Sequence, residues 1–365
     1  MNEETLFALA LWLLPGMGPS SFEKLLGAAP RLEEIFSLSE MDLRALGLKA
    51  PLIKALKDKD QALKKAQEEL QRLRLIGAQV ISIFDAPYPS LLKEIPHPPP
   101  VLFVKGSLEL GPYSLAVVGS RAATSYGRRI TKDWISELAR AGLDIISGFA
   151  LGIDTLAHQA ALRAGGYTVA VLGCGLDQNY PAENRLLREE IVKQGGALIT
   201  EFPLGTKPKP QNFPIRNRII SGLARGVLVI EASAQSGSLI TARLAAEQGR
   251  EVMAIPGSIY SGRSHGCHRL IREGALLVDR PDQILEALGL EVVFAEPRSD
   301  VKELTLSSLE DKVLKCMEVY PIHVDDIAHR SGLAVSQVSG ILLALELKGL
   351  VQGLPGNFYQ RVVER

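Results

Sequence analysis

Residues 114–129, SLAVVGSRAATSYGRR, decide how this chain is read. The apolar run LAVV has the look of a short strand buried on both faces. It stops at Gly119 and is followed by a segment that reads as a helix. A strand that ends in glycine and opens a helix usually brings a phosphate to the helix N-terminus, where unpaired N–H groups and the helix dipole favour an anion. The dinucleotide fingerprint G-x-G-x-x-G is absent, and so is the Walker lysine pattern. Ser120, Arg121, Thr124, Ser125 and Tyr126 stand in their place. The segment therefore sets the class as α/β. It also asks which phosphate-bearing ligand prefers an arginine and hydroxyls to further glycines.

Working outward, residues 101–290 alternate strand-like and helix-like text. The strand runs are VLFV, LAVVG, LDIISG, TVAVLG, ALITE, GVLVIEA, EVMAIPG and ALLV. Nearly continuous apolar strands imply burial on both faces, hence a Rossmann-like, mainly parallel sheet covered by helices. Residues 1–80 read as a helical domain. In LPGMGPSSFEKLL, Gly16 and Gly18 lie between two apolar helical patterns and Pro19 opens the second. This resembles a helix-hairpin-helix or SAM-like module, with LRALGLKAPLIKAL as a degenerate second copy, although a purely structural hairpin fits the same text. Prolines make residues 81–100 a linker. A second, polar linker covers 291–305. Residues 306–365 read as three helices and a short hairpin, with Gly332 in the turn between the last two helices, which is the order of a winged helix.

Composition narrows the classes. A chain of 365 residues with 46% hydrophobic and 22% charged residues is an ordinary globular protein. Forty-one basic residues balance 41 acidic ones, so any affinity for a polyanion must come from local segregation of charge. Cys174, Cys267 and Cys316 are sparse and odd in number, as expected in a reducing cytoplasm without a disulfide framework. The run LFALALWLLPG follows Glu3 and Glu4 rather than basic residues and lacks a small-residue cleavage site, so it does not read as a signal peptide. No stretch approaches the roughly 20 apolar residues of a membrane span. The expectation is a soluble, cytoplasmic protein that does not engage a membrane.

Glycine-ended strands recur at Gly119-Ser120-Arg121, Ser147-Gly148-Phe149-Ala150, Gly173-Cys174-Gly175 and Ser236-Gly237-Ser238. A parallel sheet brings such loops to one rim, where small residues let backbone amides approach a ligand. Charge is segregated beside them. No acid occurs between Glu201 and Glu231, but Lys207, Lys209, Arg216, Arg218 and Arg225 do. None occurs between Glu109 and Asp133, where Arg121, Arg128, Arg129 and Lys132 lie. Within KPKPQNFPIRNR, three prolines stiffen the chain and suggest Phe213 as a base-stacking platform outside a helix interior; a core-capping Phe213 is the alternative. Asp154 and Glu201 are acids at strand ends that serve either chemistry, a helix cap or an arginine such as Arg218. His158 follows Asp154 by one helical turn. No Ser-His-Asp order or carboxylate pair is evident, and SHGCHRL (His265, Cys267, His268) lacks the second ligand cluster a structural metal needs. Cys174, set between glycines, reads as a small packing residue rather than a nucleophile.

The runs VVGSRAATSYG, SGFALGIDTLAHQAAL, VLGCGLDQNYPAENRLL, ITEFPLGTKPKPQNFPIRNRIISGLARGVLVIEASAQSGSLITARLAAEQGREVMAIPGS and GCHRLIREGALLV resemble the DNA-processing protein A family, DprA or Smf. The resemblance is dense from Tyr88 to about Asp279 and extends to both end modules. It implies a protein that is not an enzyme and needs no cofactor or metal. It implies binding of incoming single-stranded DNA in natural transformation, protection of that DNA, loading of the RecA recombinase and dimerisation through the Rossmann-like domain. The family pocket carries over to Gly119, Ser120 and Arg121, and to Lys209, Asn212, Phe213, Asn217 and Arg218. The glycine loops add Thr124, Gly148, Phe149, Ser236, Gly237 and Ser238. Lys209 takes the lysine role, although a proline directly before Gln211 leaves the register open by one residue.

Two rivals come from other classes. A phosphoribohydrolase of the lysine-decarboxylase-like type would carry P-G-G-x-G-T-x-x-E where this chain has SAQSGSLITA, with Ala242 in place of a useful acid. A winged-helix transcription factor would need positive charge. From residue 306 onward, seven acids (Glu310, Asp311, Glu318, Asp325, Asp326, Glu346, Glu364) outnumber six bases (Lys312, Lys315, Arg330, Lys348, Arg361, Arg365). AVSQVSGILLALELKG has no arginine near its start. A module that neutralises several duplex phosphates needs more.

Overall fold

The computed structural model describes residues 2–290, 306–317 and 320–361. The chain divides into two compact units, Met1–Val292 and Val293–Arg365. The expected linker at 291–305 lies outside the described residues.

The first unit begins with helices α1 (Glu3–Trp12), α2 (Pro19–Leu26), α3 (Glu40–Ala45), α4 (Ala50–Leu56) and α5 (Lys59–Leu75). Local signals start them: Asn2 caps α1 through Glu4 N at 2.7 Å, and Pro19 occupies the first turn of α2, where no intrahelical N–H is needed. Gly16, at φ +81, turns the chain between α1 and α2, as the hairpin reading requires. In α1 the residues Ala8, Leu9, Ala10 and Leu11 are all fully buried. A helix apolar on every side is one that the rest of the fold surrounds.

Part of what surrounds it is a nine-stranded sheet of order β1-β2-β6-β5-β4-β3-β7-β8-β9. Its strands are β1 (Ala78–Ser82), β2 (Val101–Gly106), β3 (Ser114–Val118), β4 (Asp144–Ser147), β5 (Thr168–Val171), β6 (Ala197–Thr200), β7 (Gly226–Val229), β8 (Glu251–Ala254) and β9 (Leu276–Leu277). Strands β3 to β9 run parallel, and β1 and β2 extend the β6 edge antiparallel. The interposed helices are α6 (Ser90–Lys93), α7 (Ser125–Arg140), α8 (Ile153–Arg163), α9 (Arg185–Lys193), α10 (Asn212–Gly222), α11 (Ser238–Glu247), α12 (His265–Arg272) and α13 (Pro281–Ala287). Period-two alternation sends Leu115 and Val117 to the α7, α8 and α13 face, and Ala116 and Val118 to the α10 and α11 face. The strand order reverses direction between β3 and β7, and in such sheets ligands bind beyond the carboxyl ends of strands near that point.

The boundary expected near residue 80 falls inside continuous packing. Phe103 of β2, Phe149 and Leu198 of β6 share one core with Leu9, Leu25, Leu52 and Leu73 of the N-terminal helices. The proline-rich segment at 81–100 is equally built in: Leu92 is fully buried, and the Tyr88 hydroxyl donates to the Pro99 carbonyl at 2.8 Å.

The second unit has helices α14 (Ser308–Lys315), α15 (Val324–Ser331) and α16 (Val335–Leu347), with strands β10 (Ile322–His323), β11 (Val351–Leu354) and β12 (Phe358–Arg361). The strands pair in the order β10-β12-β11, and Gly332 closes α15 in the left-handed conformation, φ 66. This is a winged helix, with its own core around Val313, Ile327, Val338 and Leu342. Glu318, Glu364 and Arg365 of the charge count lie outside the described residues.

Candidate nucleic-acid interface

Helices α7, α8, α10 and α11 all begin beyond the carboxyl ends of parallel strands, so their positive dipole ends face one rim. There Arg121, Gly148, Phe149, Ala150, Leu151, Leu172, Gly173, Cys174, Tyr180, Pro181 and Phe213 line an open pocket. Of the residues assigned to the strand-binding site from the sequence, it gathers Arg121, Gly148, Phe149 and Phe213, together with Ala150, Gly173 and Cys174 of the glycine-ended strands.

The pocket is held by close backbone approaches. Gly152 has φ +83, and a Cβ there would lie 2.2 Å from the Ser120 carbonyl oxygen and 2.5 Å from that of Arg121. Ile153 N donates to the same Ser120 carbonyl at 3.1 Å. The start of α8 thereby fixes the loop that carries Arg121. Phe149 adopts φ 59, unfavourable for a bulky residue, and is kept there by its buried ring and by Asn184 Nδ2, which donates to its carbonyl at 3.1 Å. With its side chain only 2% exposed, Phe149 offers a ligand little beyond the wall of the pocket.

Phe213 differs from its expected setting. It lies in the first turn of α10, where Pro214 is tolerated because no intrahelical N–H bond is lost. The half-buried ring packs over Gly173, where a Cβ would come within 2.8 Å of Phe213 Cδ1. It also meets the Tyr180 ring at 5.7 Å between centroids. Arg121 and Arg216 lie 5.7 Å and 5.8 Å from its centroid, within cation–π range. Asn212 ties the helix start to the β5 loop by donating from Nδ2 to the Gly173 carbonyl at 3.1 Å. Lys207 and Lys209, on the preceding loop, are exposed. Among the described residues, neither lysine ammonium and no guanidinium nitrogen of Arg121 makes a hydrogen bond or ion pair. These cations are uncommitted.

Beneath the pocket lies a buried polar group that the sequence alone does not assign to the site. Arg216 is 4% exposed and donates to the carbonyls of Gly148, at 2.6 Å, and Val171. Burial lowers it to about 10, so it stays charged at neutral pH. Burial lifts the Asp154 carboxyl to about 6 against the pull of Arg216, and takes His158 down to about 3. Gly148 makes room for this group: a Cβ there would sit 2.8 Å from Asp154 Oδ2 and 2.9 Å from Arg216 Nη2. The usable signal is spacing, since Arg216 follows Phe213 by three residues on one helix. Burial also pushes the Cys174 thiol up, away from the reactive thiolate.

Other predicted donors are already engaged. At the start of α7, Glu231 receives hydrogen bonds from Thr124 N, at 3.0 Å, and Thr124 Oγ1. Gly127 leaves room for that carboxylate, with its would-be Cβ 2.4 Å from Glu231 Oε2. The helix N-terminus expected to take a phosphate thus holds an acid of the chain itself. Ser120 Oγ accepts from Arg263 Nη1 at 2.8 Å. Gly119 packs against Ile153, 2.7 Å from its would-be Cβ. Arg218, 12% exposed, pairs at 2.5 Å with Glu201, 2% exposed, which is the arginine-holding role weighed for that acid. Buried Asn217 accepts from Arg216 Nε at 3.3 Å. Arg225 precedes β7, hence lies at the opposite end of the sheet, with its guanidinium 5.6 Å from the Tyr113 ring. Ser236, Gly237 and Ser238 form the start of α11, with the two hydroxyls 2.7 Å apart, and do not line the pocket. Cys267 is buried and His268 Nε2 bonds the Gly257 carbonyl at 3.0 Å. Among the described residues no cluster of three or more potential ligands suited to a metal occurs.

Comparison with known proteins places this geometry in a family. The profile described as DNA recombination-mediator protein A matches residues 79–289, and that of the DprA winged helix domain matches 297–357. Protein Smf of Escherichia coli is 46% identical over 279 residues, 74% of each chain. DNA processing protein DprA of Streptococcus pneumoniae is 49% identical over 205 residues, 56% of this chain and 72% of that one. Its X-ray structure superposes with a TM-score of 0.67 at 39% identity, covering 78% of this chain and 98% of that one. DNA processing protein A of Helicobacter pylori, solved to describe a single-stranded DNA binding mode, gives a TM-score of 0.52 at 29% identity over 57% of this chain and 95% of that one. A Rossmann-like sheet, a winged helix and a family profile spanning the whole rim agree: the chain belongs to the DprA/Smf family of DNA-processing, recombination-mediator proteins.

Proposed function

We propose that this chain binds single-stranded DNA at the rim pocket, protects incoming strands during natural transformation and hands them to the RecA recombinase. The observation that carries the binding reading is the set of uncommitted cations, Arg121, Lys207 and Lys209, around two aromatic rings, Phe213 and Tyr180. A single strand offers both partners this set needs: phosphates for the cations and unstacked bases for the rings. The single-stranded DNA binding named for the Helicobacter pylori relative supports it, and the family description as a recombination mediator supports transfer to a recombinase. In this reading Arg121 and Lys209 contact phosphate and Phe213 stacks on a base. Gly119, Gly148 and the Ser236-Gly237-Ser238 turn let the strand approach the backbone. Ser120, Thr124, Asn212, Asn217 and Arg218 brace the rim from beneath.

The protein acts without catalysis and works in the cytoplasm; no helix among the described residues is long and apolar enough to cross a membrane. It forms a two-fold dimer through the β9 edge, where Leu276 and Leu277 are 42% and 44% exposed. The deciding experiment compares single- and double-stranded DNA binding across a salt series, with nucleotide turnover followed in the same sample. Preference for the single strand, with a log–log slope of about −0.7 per phosphate contacted, is expected. Equal or tighter duplex binding overturns the pocket reading.

A further inference from the structure

The loop that leaves β8, residues 256–264, carries Tyr260 at 92% exposure, beyond every other large apolar or aromatic side chain among the described residues. Ile259 beside it is 71% exposed. This loop is not loosely attached. The Tyr126 hydroxyl donates to the Pro256 carbonyl at 2.6 Å, and Ala232 N donates to the Arg263 carbonyl at 2.9 Å. Ser261 N and Ser264 N close successive turns at 3.0 Å each. Gly257 lets the two limbs touch, since a Cβ there would lie 2.2 Å from Ser264 Oγ. An anchored base thus presents an aromatic–aliphatic pair to solvent.

Its place on the rim gives the pair a use. Arg263, in the same loop, bonds Ser120 at 2.8 Å, and Ser120 adjoins Arg121 at the pocket mouth. In the order β5-β4-β3-β7-β8, the pocket wall at Gly173 follows β5 and the loop follows β8. Four strand spacings of about 4.8 Å separate them by roughly 19 Å, with the Arg121 loop between. The charge also suits a polyanion. Residues 252–268 contain no acid and hold Arg263; Arg269, paired with Glu273 at 2.8 Å, and Arg272 follow in the last turn of α12, away from the loop. The nearby Glu231 is buried and bonded to Thr124.

We propose that Tyr260, flanked by Ile259, is a second base-stacking platform for the same single strand. It engages only strands long enough to run from the Phe213 pocket across Arg121 to the loop beyond β8. The proposal rests on the single-strand reading of the pocket and adds a subsite to it. Stacking suits this position because every base offers a π-face, so a fixed tyrosine serves any sequence.

The test uses the full chain with Tyr260→Ala or Tyr260→Phe and fluorescent oligothymidylates from about 4 to about 16 nucleotides, the range of typical single-strand site sizes. Tyr260→Ala is expected to weaken the longest strand about five-fold or more, leave the shortest unchanged, and be rescued by Tyr260→Phe. Equal affinity of Tyr260→Ala and the unsubstituted chain at every length overturns the subsite. So does a loss that is the same at every length. Light scattering on the same samples separates a protein contact: a lower mass for Tyr260→Ala, with affinity lost in step, assigns the loop to a second copy and overturns the proposal. If the unsubstituted chain binds no oligomer, or Arg121→Ala binds as well as it does, the pocket reading fails instead.

Discussion

The rim of the large sheet and the winged helix both present the start of a helix to solvent, but they distribute charge in opposite ways. At the rim, α10 is preceded by Lys207 and Lys209 and faced by Arg121, none of them neutralised by a carboxylate among the described residues. In the winged helix, α16 exposes Val335, Leu343 and Leu347 at 44%, 58% and 84%. The lysine at its end, Lys348, is held by Glu310 at 2.7 Å, which keeps that carboxyl down at about 2. Architecture supplies a presenting helix in both places; the position of unpaired charge decides which of them suits a phosphate chain.

The strongest way to break the contrast is to remove the rim charge. Each charge-assisted hydrogen bond is worth about 1.5–3 kcal/mol, so Arg121→Ala with Lys209→Ala is expected to lower single-strand affinity by more than about 100-fold. The salt slope should flatten by about 0.7 for each phosphate that is no longer neutralised. Anisotropy titrations across salt check both. A double variant that binds normally removes the rim from the binding surface.

Arg218→Ala sharpens the same contrast from the stability side. Its guanidinium faces Glu201 in a nearly closed setting, and burial already raises that carboxyl. Removing the arginine leaves an uncompensated acid and is expected to cost about 3–5 kcal/mol in urea unfolding. Single-strand affinity of the folded protein should change little. A large affinity loss with normal stability would move Arg218 from the bracing set to the residues that touch the strand.

Arg121 and Arg218 also show what is legible in the sequence. The sheet can be read because strands buried on both faces leave continuous apolar runs, and glycines mark where they end. Sign of charge and closeness to those glycines can be read too. Pairing across the fold cannot: Thr124 meets Glu231 and Trp12 Nε1 donates to the Glu201 carbonyl at 2.8 Å, partners far apart in the chain. Nor can the N-terminal packing. Strand β1 is AQVIS, too mixed to announce itself, and it joins the sheet by pairing with β2. The apolar character of α1 is visible on every side, but not that a sheet supplies part of its surround. Phe213 reads as a loop residue because three prolines flank it, although the first turn of a helix accepts proline.

Phe213→Ala separates the ring from the charges around it. If the ring stacks on a base, its loss should cost about 1–3 kcal/mol of affinity and leave the salt slope unchanged, since the same phosphates stay neutralised. Phe213→Trp should retain most of the affinity. Unchanged binding by a folded Phe213→Ala protein would assign the ring to packing against Gly173 and Tyr180.

The smallest effect is expected from removing the winged helix. Its core around Val313, Ile327, Val338 and Leu342 is separate from those of the first unit, so truncation after Leu290 leaves the sheet and its covering helices with their own buried cores. On the exposed side of α16 the polar residues are Ser336, Gln337, Ser339 and Glu346, which supply hydrogen bonds and a negative charge but no positive one. A duplex-binding module draws most of its affinity from neutralised phosphates, and this helix has no free cation with which to begin. The truncated protein is therefore expected to bind single strands within a few-fold of the full chain and with the same salt slope. The winged helix is then expected to serve protein contacts or intramolecular packing, for which the apolar Val335, Leu343 and Leu347 are the better equipped surface. Loss of single-strand binding on truncation, or tight duplex binding by the full chain that truncation abolishes, would reverse the comparison and move the nucleic-acid site to the smaller unit.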